Sequence, residues 1–293
     1  MRKITVFIAV LFAAQAVFGQ VNTSISGSVE WDAMRLNARI SLNMASAGLK
    51  LPAGRTQGEA LLYDNYLALI RSSILGLRVD SSSTIADLVD RGELSLADVE
   101  AIAFGANSVP PALSPDMRNI ISSYTISLSS TASALLRHDR AFPIIRTLSP
   151  VSTATYTGII IIAAENLPVH GMRGTALPVP CLFPKIWDSE MNLVYERSML
   201  EARDTAMVHY FAMENIFAKN PSGISAELQQ IVGDRPLRIF ASGVFGITPT
   251  DLIIDRSYAL LIISSQENRR LLSQGRVAFI LDDSTLRYEF NGE

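Results

Sequence analysis

The chain is poor in the residues that build cross-linked or metal-held structure: one cysteine, Cys181, and three histidines, His138, His170 and His209, among 293 residues. A lone cysteine excludes an intrachain disulfide, and no second His or Cys stands at ligand spacing from any of the imidazoles, which excludes the usual zinc patterns. Charge is scarce too. Charged residues make up 18%, the net charge is -3 and the 25 Lys and Arg are thinly spread, so the basic stripe that nucleic acid requires is missing. Neither a G-x-S-x-G elbow, nor a phosphate loop ending in Gly-Lys-Ser/Thr, nor a dinucleotide fingerprint occurs. There is no internal repeat and no low-complexity tail, and beyond the first nineteen residues no apolar run approaches the length of a spanning helix.

What is present starts at the N-terminus. Arg2 and Lys3 precede the apolar run Ile4 to Phe18, and Val17 and Gly19 offer small residues before Gln20. This is the three-part pattern of a secretory signal peptide over residues 1–19, cleaved after Gly19. The expectation is an exported, periplasmic protein; the alternative is an uncleaved anchor. The hydrophobic fraction of 48% leaves ample material for a core, in an N-terminal region over 20–148 and a C-terminal region over 149–293, or in one continuous domain.

Period-two alternation predicts a hairpin: Ile25, Val29 and Trp31 on one arm, Leu36, Ala38, Ile40, Leu42 and Met44 on the other, with a turn at Asp32 to Arg35. Thr56 to Glu59 reads as a capping box opening a helix over about 56–73, and two more boxes, Thr84 to Asp87 and Ser95 to Asp98, open short helices separated by Gly92. Pro110, Pro111 and Pro115 end that region, and Tyr124, Ile126 and Leu128 predict a half-buried strand. The run Tyr156 to Ala163 has the continuous β-branched character of a strand at the centre of a sheet. Beyond a loop from Glu165 to Pro180, a hairpin is expected around Asp188 to Met191, then a strand carrying Leu237, Ile239, Ala241 and Gly243. Asp255 caps a helix, Gly275 stops another, and Val277 to Leu281 forms the final buried strand. The fold class is α+β, a mixed sheet with helices packed on it, entered through an N-terminal β-hairpin.

Chemistry-bearing residues are weighed one at a time. His170 lies in the turn-rich stretch Pro168 to Gly174 and is the one candidate general base of a hydrolase, although no nucleophile or orienting acid is announced. His138 stands in a charged cluster with Arg137, Asp139 and Arg140, read as a solvated turn. Cys181, between Pro180 and Leu182, reads as a packed thiol. The acid pairs Asp282 with Asp283 and Asp188 with Glu190 read as solvated strand ends. No catalytic, cofactor-binding or metal-binding residue is assigned.

Four blocks carry a resemblance. Tyr156 to Ile161, Pro184 to Asp188 with Val194-Tyr195, Ala241 to Gly246 with Pro249 to Asp255, and Gln274 to Asp282 resemble those of exported envelope proteins, a group similar to the twenty-kilodalton outer-membrane lipoproteins, flagellar assembly lipoprotein P and the amino-terminal domain of flagellar assembly protein T. The resemblance covers roughly residues 150–285. It departs from the group in lacking a lipid-bearing cysteine and in having Ile162-Ala163-Ala164 where an acid commonly follows the Ile run. It implies a non-enzymatic structural or adaptor protein of the envelope, flagellar motor-associated. The implied partners are envelope or motor proteins, a second copy of the chain, and the membrane surface peripherally. The loop Glu165 to Pro180 and the edges of the first hairpin are the contact features to expect. The alternatives are a periplasmic hydrolase using His170 and a small-ligand binding module with a cleft between the halves.

Overall fold

The computed structural model describes residues 23–292 apart from 137, 139, 145, 202–205 and 218–222. The expected signal peptide, 1–19, lies outside the described residues, as do Arg137 and Asp139. The first sheet is built on the hairpin of β1 (Thr23–Glu30) and β2 (Arg35–Asn43), with Glu30 opposite Arg35. Its alternation works as expected: Ile25, Val29, Leu36, Ala38, Ile40 and Leu42 are all buried. Helix α1 (Gly54–Leu75) lies across this face through Leu62, Tyr66, Ile70 and Ile74, a stripe spaced four residues apart. The helix begins two residues before the expected capping box. Ala53 occupies the N-cap, and the Glu59 carboxylate accepts from Arg55 at 2.8 Å instead of reaching back to Thr56.

The other two boxes form as read. In α2 (Ile85–Asp90) Thr84 accepts from the Asp87 N–H at 3.3 Å, and in α3 (Leu96–Phe104) Ser95 accepts from the Asp98 N–H at 3.1 Å, each acid answering its cap's own N–H. Gly92, at φ +71°, turns the chain between them. The prolines do not end this region. Pro110 and Pro111 sit inside β3 (Asn107–Leu113), where a bulge between Val109 and Ala112 accommodates them at the rim of the sheet. Strand β4 (Asn119–Ser127) stops one residue before Leu128, because the Ser127 hydroxyl caps α4 (Leu128–Leu135).

The second half opens with β5 (Ile159–Ile162), buried at every position. The expected Glu165 to Pro180 loop contains a two-stranded ribbon, β6 (Leu167–Pro168) and β7 (Thr175–Ala176). The hairpin of β8 (Ile186–Asp188) and β9 (Leu193–Tyr195) follows, then β10 (His209–Ala212) and α5 (Ala226–Val232). The strand expected from Leu237 to Gly243 is two strands. β11 (Leu237–Phe240) belongs to one sheet and β12 (Gly243–Phe245) to another, because the chain turns out at Ala241-Ser242, where the Ser242 N–H pairs with Ile253. Strand β13 (Asp251–Ile254) leads into α6 (Arg256–Ser264), capped by Asp255, and α7 (Gln266–Ser273) precedes β14 (Val277–Leu281). That strand is not the last: α8 (Asp283–Leu286) and β15 (Arg287–Gly292) follow.

The first sheet runs β15-β1-β2-β4-β3, the second is all parallel in the order β10-β14-β5-β11, and the third is β12-β13-β8-β9. Strand β15 pairs antiparallel with β1, so the C-terminal strand completes the N-terminal sheet. The edges of the first hairpin are therefore covered by β15 and β4, contrary to expectation, and the rims of that sheet are β15 and the proline-bearing β3. A chain with Pro at two rim positions lacks two ladder donors there, which blunts pairing along that edge. One hydrophobic cluster runs from Ile25 through Ile159 to Leu286, and the far face of the parallel sheet buries Ile160, Ile162, Ala278 and Ile280 under Leu228 and Val232 of α5. Helices and sheets in this arrangement make the chain α+β. Among the described residues no helix is long and apolar enough to cross a membrane.

Candidate functional site

A buried polar cluster lies where the two halves meet. After α1 the chain runs beside Cys181 to Phe183: Leu182 N–H donates to Arg78 C=O at 3.0 Å, Phe183 N–H to Val79 C=O at 2.8 Å, and the Arg78 guanidinium to Pro180 C=O at 3.0 Å. This brings Ser81 onto Asp251, the first residue of β13, which is 1% exposed. Its Oδ1 accepts from the Lys185 N–H at 3.1 Å and the Thr250 hydroxyl at 3.0 Å; its Oδ2 accepts from the Ser81 hydroxyl at 3.2 Å and the Trp187 indole N–H at 3.3 Å. Burial pushes the Asp251 carboxyl above its ordinary value, against the pull of these donors.

Cys181 is buried beside it. The Tyr210 hydroxyl accepts the Cys181 N–H at 3.1 Å and donates to the Cys181 C=O at 2.8 Å. Burial pushes both the thiol and the phenol well up, which disfavours the thiolate, and Cys181 is packed as expected. These groups satisfy one another inward, and their chemistry is spent on joining the halves.

The sequence-singled residues are dispersed. His170 is exposed at the start of the β6–β7 tip; its backbone N–H donates to Val244 C=O at 2.8 Å and its ring meets Phe245 edge-on with centroids 6.0 Å apart. Phe245 in turn meets Trp187 at 5.8 Å, with Lys185 5.9 Å from the indole centroid. His138 Nε2 lies 3.0 Å from Leu200 C=O. His209 is half-buried at the head of β10. Among the described residues no three His, Cys, Asp or Glu side chains converge as a metal site would require.

Asp188 corrects its expectation. It is 4% exposed, and its carboxylate accepts the N–H groups of Glu190 at 2.9 Å and Asn192 at 2.8 Å, the Asn192 amide at 2.9 Å and the Arg256 guanidinium at 3.4 Å. Glu190 also pairs with Arg256. A buried carboxylate that closes a turn in which Met191 takes φ +61° is a structural brace, not a solvated end. Asp282 caps α8 through the Ser284 N–H at 3.0 Å.

Asp251 was missed as a site because a single acid carries no motif. Its signal is position: Asp251 heads the apolar run Leu252-Ile253-Ile254 directly after Pro249-Thr250, where a carboxylate enters a covered strand.

Burial lowers the His209 pKa from its ordinary 6.5. The unfolded chain then binds the proton more readily, so stability rises with pH across the window between the folded value and 6.5 and is lost on acidification through that window. His209→Gln is expected to flatten this part of a stability–pH profile measured by urea unfolding. An unchanged slope below the ordinary value would remove His209 as its source.

No curated protein matches the chain. Two family models do. Residues 22–135 match the model of the N-terminal domain of Treponema pallidum Tp0624, and residues 158–283 match that of its second domain, leaving the pairing strand β15 outside both. The chain is thus similar, over two successive stretches separated by a short connection, to the N-terminal and second domains of Tp0624 in that order.

Proposed function

We propose that this protein is a non-enzymatic structural or adaptor component of the bacterial cell envelope, exported to the periplasm and associated with a flagellar motor assembly. It works by burying surface against partners or against copies of itself. The observation that carries this reading is the seam: the Ser81 hydroxyl donates to Asp251, and the Leu182 and Phe183 N–H groups donate to Arg78 and Val79 C=O, tying the two halves together. The export pattern of the first nineteen residues and the resemblance over 150–285 supply the setting. A hydrolase using His170 draws less support, because its ring neighbour is the apolar face of Phe245, which neither orients nor charges an imidazole.

Crosslinking in living cells followed by mass spectrometry is expected to recover envelope partners or homotypic crosslinks, with a mature N-terminus at Gln20. A protein that is monomeric by light scattering, recovers no envelope partner and fractionates with the cytosol would overturn the proposal.

A further inference from the structure

We propose that a cavity lined by residues 141–144, Arg146 and α7 binds a phosphoryl group, gripped by Arg146, Arg269 and Arg270. This site goes beyond the scaffold reading and does not depend on it. The cavity measures about 360 Å³, and the three guanidinium groups line it together with Glu201 as the single acid. One wall is pinned by the Phe142 N–H donating to Ser198 C=O at 2.6 Å, the opposite one by the Glu201 N–H donating to Ser273 C=O at 2.8 Å.

Several arginines of this chain, such as Arg35, Arg118 and Arg173, have no ion pair among the described residues, but here three line one cavity. Arg55, Arg71, Arg91, Arg256 and Arg287 each sit within ion-pair distance of an acid. Among the described residues Arg146, Arg269 and Arg270 form no such pair, although they are grouped around one space. Arg269 spends one of its five N–H donors on Ile263 C=O. Burial, then the nearness of Arg146, holds its guanidinium below the ordinary value, so the two cations are close enough to repel. Glu267 acts on Arg269 in the opposite sense, and like charges held this close still gain from an anion placed between them.

Three forks offer more donors than the two oxygens of a carboxylate accept, and Glu201, the one acid among the described lining residues, leaves that lining net positive. A phosphoryl group matches both, with three oxygens and a charge approaching two at neutral pH. Phe142, Pro143, Ile144 and Met199 supply an apolar wall for the organic part of a phosphate monoester. The same chemistry is carried by a soluble ester or by a lipid headgroup.

Titration calorimetry of the full chain with phenyl phosphate tests this. Binding is expected at low salt and to weaken as salt rises. Arg146→Gln and Arg270→Gln should each weaken it by about tenfold or more, the loss of a charge-assisted bond, while Arg55→Gln leaves it unchanged. Both cavity arginines are exposed, so an unaltered thermal transition confirms that the variants fold. Vesicles of phosphatidylcholine with and without phosphatidic acid separate the sources. Capture by phosphatidic acid that phenyl phosphate competes away identifies a headgroup, and binding of phenyl phosphate without vesicle capture identifies a soluble ester. A wild-type chain that binds neither phenyl nor inorganic phosphate, or variants that bind phosphate or vesicles as the wild type does, would overturn the proposal.

Discussion

Asp251→Asn is expected to destabilise the chain by about 2 kcal/mol despite being isosteric, and Asp251→Ala by about 4 kcal/mol. Each carboxylate oxygen holds one donor that cannot turn away: the Lys185 N–H on Oδ1 and the Trp187 indole N–H on Oδ2. The other donor on each oxygen is a hydroxyl, Thr250 or Ser81, which can rotate. An asparagine must aim its NH₂ at one rigid donor whichever way it flips, so one bond is lost and one N–H is orphaned in either pose. Alanine orphans both. The charge that asparagine removes offsets part of this, because burial raises the Asp251 pKa.

That raised value has a signed consequence. The folded chain holds the Asp251 proton more tightly than the unfolded one, so its contribution is greatest below the ordinary 3.8 and declines as pH rises from there through the folded pKa. Asp251→Asn should erase that decline while lowering the urea midpoint with the slope preserved. A variant whose midpoint matches the wild type would refute the bracing role.

Trp31→Ala is expected to cost about 4 kcal/mol, the range for emptying a large buried ring. Trp31 is 0% exposed and meets Tyr210 edge-on at 6.0 Å, and Tyr210 meets Phe279 in the same manner at 6.1 Å. This aromatic chain passes from the first matched stretch into the second. The Trp31 indole N–H has no hydrogen-bond partner among the described residues. Trp31→Phe therefore removes an unpartnered donor along with some volume and should cost only about 1 kcal/mol, since no acceptor is orphaned. The chain has two tryptophans, so Trp187 fluorescence reports the second half of either variant while far-ultraviolet dichroism reports the whole. Coincident transitions are expected, because one core crosses both halves. Two separated transitions in the wild type would contradict a shared core.

Local signals were read well where the chain's own neighbours decide the outcome. The capping boxes at Thr84 and Ser95 close within four residues, the alternation from Ile25 to Leu42 needs only a sheet with one covered face, and the run Ile159 to Ile162 buries at every position as such runs do in parallel sheets. The outcome differs where the pattern does not encode the partner that is chosen, near or far. Thr56 looked like a cap, yet the helix starts at Gly54. Pro110 and Pro111 look like a terminus, yet the rim strand β3 holds them at a bulge beside β4. Leu237 to Gly243 looked like one strand, yet its two ends serve different sheets.

The amino-acid order by itself determined the α+β class, the N-terminal hairpin, the helix caps at Thr84 and Ser95 and the burial of Cys181, since each follows from short-range periodicity, hydrogen bonding or composition. Tertiary structure alone decided that β15 closes the first sheet beside β1, that Ser81 reaches Asp251 across 170 positions, and that Arg146 gathers with Arg269 and Arg270. The physical reason is range: hydrophobic burial brings these segments together without regard to separation along the chain, and only then do the polar groups find the partners that local patterns cannot name.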